Sequence, residues 1–393
     1  MSRRIYLDNS ATSFPKPPSV HQAMARYAVD LGASPGRGAY VESREAGKLL
    51  EQCRHRINQL IHGENPSHVI FTLNASDALN LAIHGTLRPG DHVVTTWMEH
   101  NSVLRPLSQL ASAGVIEQTR VACDPHTGLV DPDDIRRALR ANTRLLIVVH
   151  GSNVTGTLQP VAELTRLARE RSVLTLVDAA QTAGHVPIDV RADDIDLLAF
   201  PGHKGLLGPL GTGALYIRPG VEQHLTTIRE GGTGSNSERD VQPDFLPDRF
   251  EPGSHNAIGL IGLSEGVNWI LERGVEAIWE HEQRLMQQML DGLAGCPPSL
   301  RLYGPTNRAH RCGVFSVRID GFESPQTLSD RLESGFGVLT RSGIHCAPLA
   351  HRTIGTYAAG GTTRLSFGPF LTEQDVADAV HALNEISERS AAA

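Results

Sequence analysis

Three side chains that are far apart along the sequence have chemistry that belongs together: Lys204, Asp178 and Cys346. A lysine amine can form a Schiff base with a cofactor aldehyde. A carboxylate can keep a pyridine nitrogen protonated, so that the ring withdraws electrons from a carbanion. A cysteine thiol brought to the same place can receive sulfur. These residues predict a pyridoxal 5'-phosphate site with a sulfur-accepting cysteine.

Each of these residues also has a simpler interpretation. A lysine in a glycine-rich turn, such as the segment 200–208, usually faces solvent. An aspartate at a strand end is often only a helix N-cap, and a cysteine in a loop is often only a structural or incidental residue. The functional interpretation therefore depends on the elements that bring the three side chains together.

Short apolar, β-branched runs alternate with helical patterns along the first two thirds of the chain. The runs predict strands at 69–72, 93–96, 145–149, 174–177, 197–200 and 213–217, with helices over 76–84 and 162–171 between them. Such alternation is typical of a mostly parallel sheet covered by helices. Open sheets of this kind bind ligands beyond the carboxyl ends of their strands. Segments 74–76, 99–100 and 150–153, together with Asp178 and Lys204, each follow one of these predicted strands, which places them at that edge.

A second, smaller domain is expected after a long helix that starts near residue 258. The C-terminal part alternates strands at 313–317 and 363–367 with helices over 324–333 and 373–386. This pattern predicts an α+β layer that packs over the cleft of the first domain.

Composition favours an ordinary soluble globular protein, since the chain has 393 residues of which 40% are hydrophobic and 20% charged. The net charge of -7, without basic runs, argues against nucleic-acid binding. The N-terminus lacks an apolar signal region and no apolar run is long enough to span a membrane, so a cytoplasmic location is expected. Five cysteines without a CxxC spacing predict reduced thiols and no metal site.

The motifs around these residues, in order and spacing, resemble the class V aminotransferase group of fold-type I pyridoxal phosphate enzymes, and within it the cysteine desulfurases. The resemblance runs through segments 6–12, 152–157, 178–181, 202–204, 250–254, 341–347 and 363–366. It implies an α/β fold with a large domain (16–272) built on a mostly parallel seven-stranded sheet. A smaller α+β C-terminal domain would comprise 1–15 and 273–393.

The resemblance also implies roles for the residues that hold the cofactor ring. Lys204 matches the Schiff-base lysine, which also removes the substrate Cα proton. Asp178 matches the partner of the pyridinium nitrogen, and Gln181 a donor to the ring hydroxyl. His100 matches a histidine that lies on the ring and shuttles the substrate thiol proton.

For the cofactor phosphate, the resemblance points to Ala75 and Ser76 at a helix N-terminus, where backbone amides and the dipole favour anions. His203 is the expected side-chain helper. Ser254 matches a position that reaches the phosphate of the neighbouring subunit, so a homodimer with shared active sites is expected.

Two positions depart from the family pattern. Pro201 stands where many relatives have a phosphate-binding serine, and Asn74 belongs to a segment that replaces a threonine-containing turn. A lost charge-assisted hydrogen bond costs about 1.5–3 kcal/mol, which would weaken cofactor retention without abolishing it.

For the substrate, Arg364 matches the arginine that binds the amino-acid carboxylate, with Asn153 beside it and Arg341 as a second cation. Cys346 matches the nucleophile that takes sulfur from a bound L-cysteine, becomes a persulfide and leaves alanine. His345 and Arg341 are expected to favour its thiolate. The short loop around Cys346 resembles the group II branch, whose members commonly work with a sulfur-accepting protein.

The sequence therefore predicts a homodimeric cysteine desulfurase. A cysteine or cystine C–S lyase, a selenocysteine lyase or an epimerase with the same cofactor machinery remains an alternative. A catalytically inactive scaffold of the same fold is a further one.

Overall fold

A computed structural model describes residues 4–36 and 38–391 of the chain. The strands are β1 Ile5–Tyr6, β2 Val69–Thr72, β3 His92–Thr96, β4 Glu117–Val121, β5 Thr143–Val149, β6 Leu174–Asp178, β7 Leu197–Pro201, β8 Gly213–Ile217, β9 Leu300–Tyr303, β10 Val314–Ile319, β11 Val338–Leu339, β12 Arg341–Gly343 and β13 Thr362–Ser366. The α-helices are α1 Pro18–Arg26, α2 Val41–Leu60, α3 Ala75–Thr86, α4 Asn101–Ser112, α5 Pro132–Ala138, α6 Val161–Arg169, α7 Ala257–Arg273, α8 Val275–Ala294, α9 Pro325–Phe336, α10 Pro348–Thr353 and α11 Glu373–Ala391. Within these ranges, no helix is long and apolar enough to cross a membrane.

The larger sheet has seven strands in the order β2-β8-β7-β6-β5-β3-β4. Strand β8 runs antiparallel to both of its neighbours, while the pairs from β7 to β4 are all parallel. The predicted mostly parallel, seven-stranded α/β fold is therefore confirmed. The six strands predicted in this sheet are all present, and their observed ends differ from the predicted ends by at most two residues.

Both faces of this sheet are covered, as its continuous apolar strands require. Successive residues of a strand point to opposite faces. In β7, Leu198 and Phe200 belong to one apolar core, with residues of α2 and α7. Leu197 and Ala199 belong to another, with residues of α3 and α4. Burial on both faces is what makes the strand read as an unbroken apolar run.

Helix α3 begins one residue earlier than the sequence predicted. The sequence predicts this helix over 76–84, with a stop at Gly85, but Asn74 is the N-cap, and its Oδ1 accepts a hydrogen bond from the Asp77 amide at 3.0 Å. Asn74 caps well because its short side chain reaches the orphan amides of the first turn. The helix then continues past Gly85 to Thr86.

The C-terminal part carries an antiparallel sheet in the order β12-β13-β10-β9. Its core also includes Ile5 and Leu7 from the N-terminus, which pack with residues of α8, α9 and α11. Strand β1 pairs with β11, which fixes the N-terminus to this part of the chain. The division into domains at residues 15 and 272 stays a prediction.

Candidate active site

The candidate residues follow strands that are neighbours in the larger sheet. Lys204 follows β7, Asp178 ends β6, Asn153 follows β5 and His100 follows β3. Together with the start of α3 they line a cavity that encloses about 500 Å³, its open mouth included. Eight of the predicted site residues line this cavity: Ala75, Ser76, His100, Asn153, Asp178, Gln181, His203 and Lys204.

Lys204 stands half-buried in a tight turn after β7. Gly205 allows this turn, since a Cβ added there would lie 2.3 Å from the Ala183 carbonyl oxygen. Burial lowers the pKa of Lys204 to about 8; the charges of Arg364 and Arg341 act in the same direction, while Asp178 opposes them. A substantial fraction of this amine is therefore neutral near physiological pH.

Asp178 is buried at the end of β6, and its Oδ1 accepts a hydrogen bond from the Ala180 amide at 2.9 Å. Burial raises the pKa of this carboxyl, whereas the amide and the Lys204 ammonium stabilise its anion. Gln181, three residues on, donates from Nε2 to the Ser10 carbonyl at 3.3 Å. The strand end thus provides a buried carboxyl and an amide on the same wall of the cavity.

His100 is the N-cap of α4, where its Nδ1 accepts a hydrogen bond from the Ser102 amide at 3.1 Å. Burial, aided by nearby cations of which Lys204 is the strongest, lowers the pKa of His100 to about 4. The ring is therefore neutral, and the backbone donor assigns its proton to Nε2. The Ser102 hydroxyl lies 3.0 Å from Nδ1 and 2.5 Å from the Ser76 hydroxyl.

One end of the cavity presents hydrogen-bond donors without acceptors. The Ala75 and Ser76 amides open α3, and no acceptor for them occurs among the described residues. The Nδ1 atom of His203 is buried and has no hydrogen-bond partner among the residues that the structure describes. Pro201, the last residue of β7, lines this region without a donor of its own.

Arg364 lies behind the cavity and contacts it through Asn153, whose carbonyl accepts a hydrogen bond from Nη1 at 3.2 Å. Its Nη2 pairs with the Asp8 carboxylate at 2.8 Å, and its buried Nε has no partner among the described residues. Arg341 is directly opposite Arg364 in the β12–β13 register. The two predicted substrate arginines are therefore neighbours, although neither lines the cavity itself.

Cys346 is exposed on the short loop between β12 and α10, and two hydrogen bonds hold this loop to the site. The Cys346 carbonyl accepts a hydrogen bond at 2.8 Å from the amide of Asn101, which is the residue directly after His100. The carbonyl of His345 accepts from Asn153 Nδ2 at 2.7 Å. Both His345 and Cys346 have positive φ, an uncommon conformation for residues with side chains. The thiol loop is thus anchored on two cavity elements.

The expectation that His345 favours the Cys346 thiolate is wrong. His345 is buried, and burial lowers its pKa well below the ordinary value, with Arg364 acting in the same direction. Its Nε2 lies 3.1 Å from the Thr362 carbonyl, which makes Nε2 the protonated nitrogen of a neutral ring. A neutral imidazole supplies no positive charge, so Arg341 is left as the predicted cation for this role.

Ser254 lies outside the Lys204 cavity of its own chain. It is exposed in a separate depression, which is also lined by Phe71, Asp77 and Arg229. The structure of a single chain therefore does not bring Ser254 to the other predicted phosphate ligands.

The residues that the sequence analysis missed form one segment, 8–16, which we call the N-terminal strap. Asp8 pairs with Arg364, the Ser10 carbonyl accepts from Gln181, and three strap residues contact the His203 carbonyl. The only feature of the sequence that marks this segment is a run of small, mostly polar residues at 8–13. It could not reveal which distant side chains the strap contacts.

Nothing in the described ranges (4–36 and 38–391) groups three or more His, Cys, Asp or Glu side chains in a way that could hold a metal ion. All five cysteines are free, with Cys53 and Cys312 buried and Cys123 and Cys296 partly buried. Cys53 and Cys312 each belong to an apolar core.

Comparison with known proteins gives matches along nearly the whole chain. The chain is 35% identical over 387 residues to a probable cysteine desulfurase of Methanothermobacter thermautotrophicus, covering 98% of this chain and 94% of that protein. A cysteine desulfurase of Escherichia coli O157:H7 is 32% identical over 390 residues, with 97% and 93% covered.

Solved structures agree with these sequence matches. The apo structure of a cysteine desulfurase from Thermococcus onnurineus NA1 superposes with a TM-score of 0.90 at 31% identity, covering 98% of this chain and 95% of that one. An Escherichia coli cysteine desulfurase in an S-sulfonic acid form gives a TM-score of 0.86 at 26% identity, with the same coverage. The family model "Aminotransferase class-V" matches residues 5–378. The chain therefore belongs to the class V aminotransferase family.

Proposed function

We propose that this chain is a pyridoxal phosphate-dependent cysteine desulfurase that converts L-cysteine to L-alanine and captures the sulfur as a persulfide on Cys346. The observation that carries the proposal is the anchoring of the Cys346 loop on elements of the cavity that Lys204 lines. Asn101 and Asn153 provide that anchoring. Two relatives that match this chain over nearly their full length are named probable cysteine desulfurase and cysteine desulfurase, which supports the same activity.

The residues present fit pyridoxal phosphate, on which this family depends. The buried Asp178 carboxyl suits a pyridinium nitrogen, and Gln181 offers an amide beside it. The free amides of Ala75 and Ser76, with the unpartnered His203 Nδ1, suit a phosphate. When bound, the cofactor supplies an aldehyde that condenses with amines and a ring that stabilises negative charge at Cα.

Lys204 is suited to hold the aldehyde and then to move the Cα proton, because its pKa of about 8 leaves a substantial fraction of the amine neutral near physiological pH. Arg364 and Asn153 would orient the substrate carboxylate. The neutral His100 ring carries its proton on Nε2, because Nδ1 accepts a hydrogen bond from the Ser102 amide. In this tautomer His100 would donate a hydrogen bond from Nε2 to the substrate sulfur and so stabilise its thiolate.

Cys346 would act as a thiolate on the substrate sulfur. The new S–S bond forms as the substrate C–S bond breaks, and the electron pair of that bond returns to the substrate carbon, which is protonated. The balance is one L-cysteine and one protein thiol giving one L-alanine and one protein persulfide. Because Cys346 is exposed, the persulfide can be passed to a sulfur-accepting protein.

The protein is further proposed to act as a homodimer in the cytoplasm. Exposure of Ser254 outside its own cavity is compatible with a role at the site of a second subunit. The five free cysteines agree with a reducing compartment.

Product analysis of the holoenzyme tests the proposed activity. Wild type and a Cys296→Ser control should form alanine from L-cysteine at similar rates, whereas Cys346→Ser should lose at least about 100-fold while still binding the cofactor. Alanine formation that persists in Cys346→Ser would contradict the proposal. Pyruvate in place of alanine would favour the C–S lyase alternative.

A further inference from the structure

His185 and Glu282 form a buried ion pair outside the set of predicted site residues. Nδ1 of His185 lies 2.7 Å from Oε1 of Glu282, and the two side chains are 10% and 2% exposed. Burial opposes a charge on His185, but the charge of Glu282 and the hydrogen bond to it outweigh burial, so the pKa of His185 is raised. Replacing such a pair by apolar residues is often neutral for stability, so stability alone does not account for it.

The pair joins two separate parts of the fold. His185 ends a short turn after β6, the segment 181–185, which we call the His185 turn; the His185 amide donates to the Thr182 carbonyl at 2.9 Å. The same turn begins with Gln181, which lines the cavity. Glu282 lies in the middle of α8, so this helix is tied to a turn that carries a proposed cofactor ligand.

The His185 turn packs directly on the lysine turn, the segment 202–208. A Cβ added to Gly205 would lie 2.4 Å from Cδ2 and 2.8 Å from Nε2 of His185. A Cβ added to Gly184 would lie 2.4 Å from the Gly205 carbonyl oxygen. Because Gly205 directly follows Lys204, a displaced imidazole would leave the peptide that carries the amine unsupported.

The lysine turn is therefore contacted on both sides of Lys204. The N-terminal strap contacts the carbonyl of the preceding residue, and the His185 ring contacts the following one. Within the turn, the Leu207 amide donates to the Lys204 carbonyl at 2.9 Å, and the Gly208 amide donates to the Gly202 carbonyl at 2.8 Å. These two amides report whether the turn is held closed.

We propose that Glu282 and His185 are positioning residues: Glu282 fixes the imidazole, and the imidazole fixes the lysine turn so that the Lys204 amine reaches the substrate Cα proton. This inference rests on the proposed function only in giving Lys204 that proton transfer. If the pair were merely structural, its loss would lower stability and cofactor content. The rate per bound cofactor would then stay unchanged.

Three variants separate these possibilities. Glu282→Met removes the acceptor with an unbranched side chain of similar length. Glu282→Gln keeps an oxygen that accepts from His185 Nδ1. Glu280→Met is the control, because Glu280 is exposed on the same helix.

The first measurement is amide hydrogen exchange in the full-length protein without cofactor. In Glu282→Met, the Leu207 and Gly208 amides should exchange at least about fivefold faster than in wild type, because the turn has lost a charge-assisted restraint. Glu282→Gln should restore most of the protection, and Glu280→Met should stay within about twofold of wild type. Wild-type exchange in Glu282→Met would overturn the proposal.

The second measurement is the exchange of the L-alanine Cα proton with solvent deuterium, per bound cofactor in the holoenzyme. In Glu282→Met this rate should fall at least about tenfold, because small misplacements of a reacting group are costly. The dissociation constant of L-alanine should stay within about threefold, since Arg364 and Asn153, which would bind its carboxylate, lie on other elements. An unchanged exchange rate would also overturn the proposal.

Alanine exchange requires no sulfur transfer, so failure of the proposed role of Cys346 would leave this test intact. A wild-type holoenzyme that exchanges no Cα proton would contradict the role of Lys204 and overturn this inference with it. Should Glu282→Met not fold, His185→Gln must give the same two changes. Its amide group corresponds to the Nε2 side of the ring and lacks the Nδ1 donor to Glu282.

Discussion

At the scale of single residues, the site depends on shifts in pKa that burial produces. Lys204 and His100 are both cations at neutral or mildly acidic pH when exposed, and burial pushes each toward its neutral form. A neutral lysine is a nucleophile and a base, and a neutral histidine can exchange protons. The cations that remain, Arg364 and Arg341, are the ones suited to a carboxylate.

The Lys204 amine should therefore titrate at an unusually low pH. In the apoprotein, acylation of Lys204 by an amine reagent should reach half of its maximal rate near pH 8, about the pKa of the buried group. Only the deprotonated amine reacts, so the rate rises with pH through this value. Asp178→Asn should move the midpoint to lower pH, since the Asp178 charge raises this pKa.

Peptide mass spectrometry measures the labelling at each pH. A midpoint near pH 10.5, the ordinary value, would contradict the assignment of Lys204 to a desolvated site. So would a midpoint that rises in Asp178→Asn.

At the scale of elements, the N-terminal strap is what holds the lysine turn in place. The His203 carbonyl, directly before Lys204, is approached by four donors: the Ser13 amide at 3.0 Å, the Thr12 and Ser13 hydroxyls at 3.1 Å and Lys16 Nζ at 3.4 Å. Lys16 also donates to the Ser13 hydroxyl at 2.9 Å. The peptide that leads to Lys204 is therefore fixed from outside the strand that carries it.

Replacement of Lys16 by Met should loosen this turn and speed cofactor loss about fivefold, because a single hydrogen bond is worth about 1 kcal/mol. Lys16→Arg, which keeps a charged donor, should restore most of the retention. The rate of cofactor release after dilution measures the effect. Lys48→Met on α2, an exposed position, is the control. Equal rates in Lys16→Met and Lys48→Met would show that the strap does not hold the turn.

The elements that could be predicted from the sequence are those whose pattern is local. Buried strands such as β5 and β7 read as apolar runs because both of their faces are covered. Strand β4 was missed, since it lies at the sheet edge and its residues, from Glu117 to Val121, are mostly exposed or half-buried. The start of α3 could not be predicted to the residue, because serine and asparagine cap equally well and only the backbone decides between Asn74 and Ser76.

The site was predicted where residue type and position relative to a strand were sufficient. Lys204, Asp178 and His100 line one cavity because they lie at the carboxyl ends of parallel strands, which fall along the same edge of the sheet. The contacts of Asp8 and Lys16 could not be predicted, because they depend on how the strap crosses two sheets. The neutral state of His345 could not be predicted either, since it follows from burial that only packing determines.

At the scale of the whole molecule, the prediction is that each active site is completed by a second subunit. Mixed dimers test this directly. A Lys204→Ala chain combined with a Ser254→Asp chain forms one site with both changes and one with neither. Such dimers should recover close to half of the wild-type activity, although each variant alone is strongly impaired, because an aspartate at 254 would repel a phosphate.

Recovery requires that Ser254 acts on the partner's site. If Ser254 serves its own chain, every site in the mixed dimer is defective and activity stays near that of the single variants. Native mass spectrometry, which separates the mixed dimer from the two homodimers by mass, shows whether mixed dimers have formed.

The central claim, that Cys346 is the acceptor of substrate sulfur, is tested most directly by mass spectrometry of the holoenzyme after one turnover with L-cysteine. We predict a mass increase of one sulfur atom that maps to the peptide containing Cys346 and disappears with a reducing agent. No increase, or an increase that maps to Cys53, Cys123, Cys296 or Cys312 instead, would contradict the account.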